Sequence, residues 1–196
     1  MFLHQPPSTA ATECLYRSDR DAAGYVMNLS RAWAWRPDIA EAFSALRRAL
    51  TSQTSLTTRE TAVIVCATAA SLGDAYCALA WGSRLAAEAD PATAAAVLTS
   101  ASSDGLSARE GALACWARML VMNPNATTAS DVAGLRAAGL SDLDIFDATA
   151  LAAFRLAFST INDALGVAPD VQIARAAPAP VRQAVRFGRP CADEAA

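Results

Sequence analysis

The stretch LTTRETAVIVCATAASLGDAYCALAWG, Leu56 to Gly82, decides the fold class, because it reads as two helices joined at a glycine. Thr57 followed by Glu60 three residues later is a capping box, in which each side chain satisfies a backbone N–H at the helix start. The run behind it, Ala62 to Ala70, is apolar apart from Thr68 and far too short to span a bilayer. Gly73 then breaks that helix, and Asp74 is a natural N-cap for the next. Cys77 falls at the third helical position, where the Asp74 carboxylate would accept from its amide. Positions 74, 77 and 81 share one helix face.

Working outward, the same start signals recur. Ser107 with Glu110 is a second capping box, and Thr128 with Asp131 and Ser141 with Asp144 are acidic versions of it. Pro91 after Asp90 suits the first turn of a short helix. Between these starts lie good helix formers and no alternating strand pattern. The signals predict helices near residues 20–35, 38–51, 57–71, 74–89, 91–100, 107–122, 128–138 and 141–165. The expected architecture is all-α, with an N-terminal arm over 1–18, a helical domain over 19–170 and a C-terminal arm over 171–196. The last segment, with Pro178, Pro180, Pro190 and four Arg, reads as an extended arm or short helix rather than core. Leu56–Ala62 and Leu106–Ala112 echo one another, as two similarly capped helices would.

Composition narrows the chemistry. The chain has 196 residues, 49 of them Ala, a net charge of −3, no Lys and one His, His4. Without Lys there is no Schiff base, no pyridoxal phosphate anchor and no P-loop lysine. With His confined to the tail, a Ser-His-Asp triad or a His-ligated zinc site in the body is excluded. Neither a metal nor a cofactor is therefore expected. An acidic chain with dispersed Arg has no footprint for nucleic acid. The start lacks the features of a signal peptide, and five Cys at irregular spacings favour reduced thiols. A soluble, cytoplasmic protein is expected, without a membrane partner.

The order of these pieces resembles the AhpD-like alkylhydroperoxidase and carboxymuconolactone decarboxylase superfamily, especially its peroxidase-related branch. The resemblance runs over roughly residues 24–170. It is carried by Gly24-Tyr-Val-Met-Asn28-Leu, Arg36-Pro37 before an amphipathic helix, Leu56-Thr-Thr-Arg59-Glu60 and Asp74-Ala-Tyr76-Cys77. Leu135-Arg-Ala-Ala-Gly139-Leu-Ser-Asp142 and Asn162-Asp-Ala-Leu-Gly166 complete it. It implies an AhpD-like helical bundle that self-associates. It also implies a site built from Cys-x-x-Cys, a His four residues after the second Cys and a Glu twelve before the first. Cys77 stands at the position that attacks peroxide, Asp74 replaces the resolving Cys, Trp81 the His and Ala62 the Glu. Three of four relay members are missing.

Two functions follow. The first is a divergent member without standard peroxidase turnover, whose pocket binds a small ligand or whose surface serves assembly. The second is a one-cysteine hydroperoxide reductase in antioxidant defence, in which Cys77 forms a sulfenic acid that an external thiol reductant resolves. Cys66, one turn beyond Ala62, is either a stand-in resolving thiol or, the favoured reading, a buried packing residue. Tyr76 and Trp81 are expected to line the site. Trp33 reads as core, Trp35 as interface, and Phe146, Phe154 and Phe158 as core. Arg59-Glu60 and Arg109-Glu110 read as solvated capping pairs.

Overall fold

The computed structural model describes residues 1–102 and 104–191. Its helices are α1 (Ala10–Ala23), α2 (Asn28–Trp33), α3 (Pro37–Ser52), α4 (Thr58–Leu72), α5 (Ala75–Glu88), α6 (Pro91–Thr99), α7 (Ala108–Met122), α8 (Ala129–Ala137), α9 (Asp142–Ala164), α10 (Val171–Ala176) and α11 (Ala179–Ala184). Among the described residues the remaining element is one 3-10 turn, and there is no strand. The all-α expectation holds. No described helix is long and apolar enough to cross a membrane.

The start signals act as the sequence suggests. Thr57, Ser107, Thr128 and Ser141 each form a capping box with the acidic residue three positions on. Asp90 accepts from the amides of Ala92 and Thr93. Each such cap is worth about 1 kcal/mol. Helix α4 is the hub: every residue from Glu60 to Ala69 is buried, and α5, α6, α7 and α9 all pack on it. A helix apolar on all sides belongs in the middle of a bundle.

Four readings are corrected. Residues 20–35 are not one helix. Thr9 caps α1 by accepting from the Thr12 amide, Gly24 in the left-handed conformation stops it, and α2 starts afresh at Asn28. Residues expected in the N-terminal arm thus form most of α1. In the C-terminal segment, Val181, Ala177 and Ala184 are buried in the main core instead of lying outside it. Val181 and Ala184, three residues apart, share one face of α11, and Ala177 is the extended cap of α10 before it. Pro178 and Pro180 sit at the start of α11, where proline is tolerated. Gly82 admits this helix: a Cβ there would lie 2.8 Å from Val181 Cγ1 and 2.9 Å from Leu98 Cδ1. Residues 192–196 of the expected arm lie outside the described residues.

On α9, Phe146 is 67% and Phe154 39% exposed, contrary to the core reading. The inward face is set by Ile145, Ala148, Ala152, Ser159 and Asn162, and the two phenylalanines fall beside it. Only Phe158 turns in, stacked on Trp33 with ring centroids 5.1 Å apart. The expected solvated capping pairs are instead crossed between helices. Arg59 bonds Glu110 and Arg109 bonds Glu60, each at 2.6 Å, with both glutamates buried. The echo between residues 56–62 and 106–112 therefore places matching caps side by side.

Candidate functional site

The site is built on the α4–α5 turn. Gly73 takes φ +85°, a conformation that side chains rarely adopt, which lets the chain reverse within one residue. Asp74 is fully buried, and its Oδ1 accepts from the Cys77 amide at 2.9 Å. Its other oxygen, Oδ2, is buried without a hydrogen-bond partner among the described residues. The C-terminal segment closes over this turn, with Gly188 against the Gly73 carbonyl and Ala75.

Cys77 is 3% exposed, and its sulfur meets two donors from α9: Ser159 Oγ at 3.7 Å and Arg155 Nη1 at 3.9 Å. Burial, and after it the charge of Asp74, push the Cys77 thiol up to about 12, against the opposing pull of Arg155 and Ser159. At neutral pH the group is a thiol. Cys66 is also a free, fully buried thiol, raised chiefly by burial and then by Cys77. Tyr76 donates its hydroxyl to Asp170, which also accepts from the Asn28 amide at 2.9 Å, so α2 and α5 are pinned to the loop before α10.

Cys77 opens on a cavity of about 610 Å³ between the α1–α3 layer and the α5–α9 wall. Tyr76 and Trp81 line it with Cys77, whereas Asp74, Ala62 and Cys66 do not. Trp33, Phe43, Phe154 and Phe158 add aromatic rings to a lining that also holds five leucines. Trp33 is fixed by a 2.8 Å bond from Nε1 to Asn162 Oδ1. Three arginines, Arg47, Arg84 and Arg155, reach the same space. The guanidinium carbons of Arg84 and Arg155 lie 5.2 and 5.3 Å from the Trp81 ring centre. Among the described residues no cluster of three His, Cys, Asp or Glu could hold a metal ion.

No protein-family model matches the sequence, and no curated protein matches it either. Solved structures do match over nearly the whole chain. An uncharacterized peroxidase-related protein from Ralstonia eutropha JMP134, described as an alkylhydroperoxidase AhpD core, is 25% identical with a TM-score of 0.78, covering 96% of this chain and 97% of its own. This chain has the AhpD-like fold. A peroxidase-related protein from Silicibacter sp. TM1040 is 20% identical, with a TM-score of 0.76 over 88% of this chain and 93% of its own. The debrominase Bmp8 shares the fold at 15% identity, with a TM-score of 0.74 over 94% of this chain and 98% of its own. A cysteine-to-alanine variant of Bmp8 has been crystallised with 2,3,4-tribromopyrrole.

In this AhpD-like chain, the positions that the resemblance assigns to a thiol relay are dispersed in role. Asp74 is an N-cap, Trp81 a cavity wall and Ala62 part of the α4 core. Sequence reasoning missed Arg155 and Ser159, the two groups nearest the sulfur. The signal was present: they stand four residues apart on a helix whose inward face is otherwise largely apolar. What it lacked was the packing of α9 and α5 on the shared helix α4, which brings the two side chains to Cys77 and which only the tertiary fold supplies.

Proposed function

We propose that this AhpD-like protein does not perform standard peroxidase turnover and that its cavity binds a small organic ligand against Cys77. The observation that carries the reading is the state of Cys77. It is a neutral thiol at the wall of a large cavity, its pKa held up by burial and by the Asp74 carboxylate. That carboxylate is committed to capping α5, and Arg155 and Ser159 place donors at the sulfur. Its volume suits a drug-sized molecule. The Bmp8 complex with a bromopyrrole supports a ring-shaped ligand in this fold. The exposed Leu143 and Phe146 on α9 support self-association, which light scattering tests. The five free thiols suit a reducing cytoplasm.

One observation favours the second reading, a one-cysteine hydroperoxide reductase. Arg155 and Ser159 are placed to stabilise a thiolate, were one formed. The thiolate would take one oxygen from a hydroperoxide, releasing the alcohol and leaving a sulfenic acid for an external thiol to reduce. The two readings part when the protein meets hydrogen peroxide and cumene hydroperoxide in the presence of a sulfenic-acid probe. We expect Cys77 to stay unlabelled and peroxide to persist. Labelled Cys77 with sustained peroxide consumption under dithiothreitol establishes the reductase instead.

A further inference from the structure

Three cations converge on the cavity from three different helices: Arg47 from α3, Arg84 from α5 and Arg155 from α9. Among the described residues none of them takes part in an ion pair. One carboxylate, Asp19, shares the lining, and its Oδ2 accepts from the Met27 amide at 2.9 Å. The Nε of Arg155 is buried with no acceptor. Arg47 and Arg84 are exposed and Arg155 is half-buried, so the like charges gather at the cavity mouth, where they attract an anion. The repulsion is felt: burial first, then Arg155, Arg48 and Arg84, push Arg47 below the usual arginine range.

The remaining lining fixes the other half of the ligand. Arg155 lies between two rings, 5.3 Å from the Trp81 centre and 5.2 Å from that of Phe158. Phe158 is itself stacked on Trp33 at an interplanar angle of 15°. Flat rings and guanidinium planes recognise flat, polarizable ligands by stacking. A small hydrated anion such as phosphate would leave these faces unused.

We propose that the cavity selects planar aromatic organic anions, of which an aromatic carboxylate is the simplest. The ring lies among Trp33, Trp81 and Phe158, and the acid group meets Arg84 and Arg155. This specificity rests on the ligand-binding reading above, but it fails separately, because its test reads charge selectivity rather than thiol chemistry.

The test is calorimetric titration of the full chain with 2-naphthoate, its neutral analogue 2-naphthalenemethanol, and inorganic phosphate. We expect naphthoate to bind about tenfold more tightly than the alcohol. Phosphate should not displace it. Arg84→Gln, an exposed position that will not disturb folding, should weaken naphthoate about fivefold or more and leave the alcohol unchanged. Arg48→Gln is the control, since Arg48 pairs with Glu41 and lies outside the cavity lining. Equal affinity for acid and alcohol, binding of neither, displacement by phosphate, or indifference to Arg84→Gln would each overturn the proposal.

Discussion

The two ends of α4 handle buried charge in opposite ways. At its start, Glu60, Glu110 and Asp144 are buried, but each carboxylate meets an arginine and a capping amide. Arg109 alone bridges Glu60 at 2.6 Å and Asp144 at 3.3 Å. At its other end, Asp74 keeps one oxygen unpartnered, and Asp163 is raised to about 6 by burial and then by the nearby Asp74. The first end is saturated, so it can only hold helices together. The second leaves a carboxylate oxygen unsatisfied behind Cys77, whose side chain lines the cavity. One helix thus connects an anchor to a site.

The contrast can be broken most directly at Arg109. Arg109→Leu strands two buried carboxylates and should cost about 3 kcal/mol in urea denaturation. A loss below about 1 kcal/mol would show that the anchor is no more than surface pairing.

The ends should also differ in the sign of their pH dependence. Against the burial that would raise it, hydrogen bonds from Ser55 and Ser141 and the charge of Arg109 hold Asp144 down at about 2. Its contribution is present above the unfolded carboxylate value and is lost as pH falls through its folded value. Asp163 runs the other way. With its folded value raised to about 6, stability is greatest below the unfolded value and declines as pH climbs to about 6. Asp163→Asn should flatten that decline and add about 1–2 kcal/mol at neutral pH, read from denaturation curves across pH 3 to 8. An unchanged slope would place the titration elsewhere.

The smallest effect on stability, and the most informative for the site, is at Asp74. Asparagine caps helices as well as aspartate does, so Asp74→Asn should cost less than about 1 kcal/mol. It removes a charge that holds the Cys77 thiol up, so alkylation by iodoacetamide at mildly alkaline pH should quicken about tenfold. No acceleration would mean that burial alone sets the thiol.

What the sequence disclosed follows from the range of the forces involved. Capping boxes and prolines act within four residues, and the helix starts at Thr57, Asp90, Ser107, Thr128 and Ser141 were legible for that reason. The Asp74 cap on Cys77 was legible too. The crossed pairing of Arg59 with Glu110, 51 residues away, was not, because each arginine has a plausible partner next to it in the chain. Phe146 and Phe154 misled because periodicity gives a helix's apolar stripe without saying which edge meets the bundle. Arg155 and Ser159 reach Cys77 across 78 and 82 residues, a distance no local pattern spans.

Helix α3 draws these threads to one physical end. It is amphipathic and sixteen residues long, yet none of its residues is buried, because the face it turns inward borders the cavity. A guest molecule would complete the interior that this helix lacks, and thermodynamic linkage then makes folding and occupancy one equilibrium. At a free concentration one hundred times its dissociation constant, a guest would add about 2.7 kcal/mol to the whole chain. The melting temperature becomes a readout of the right compound, and amide exchange along α3 would slow first. The protein could then be screened for its own ligand by asking which molecules make it harder to unfold.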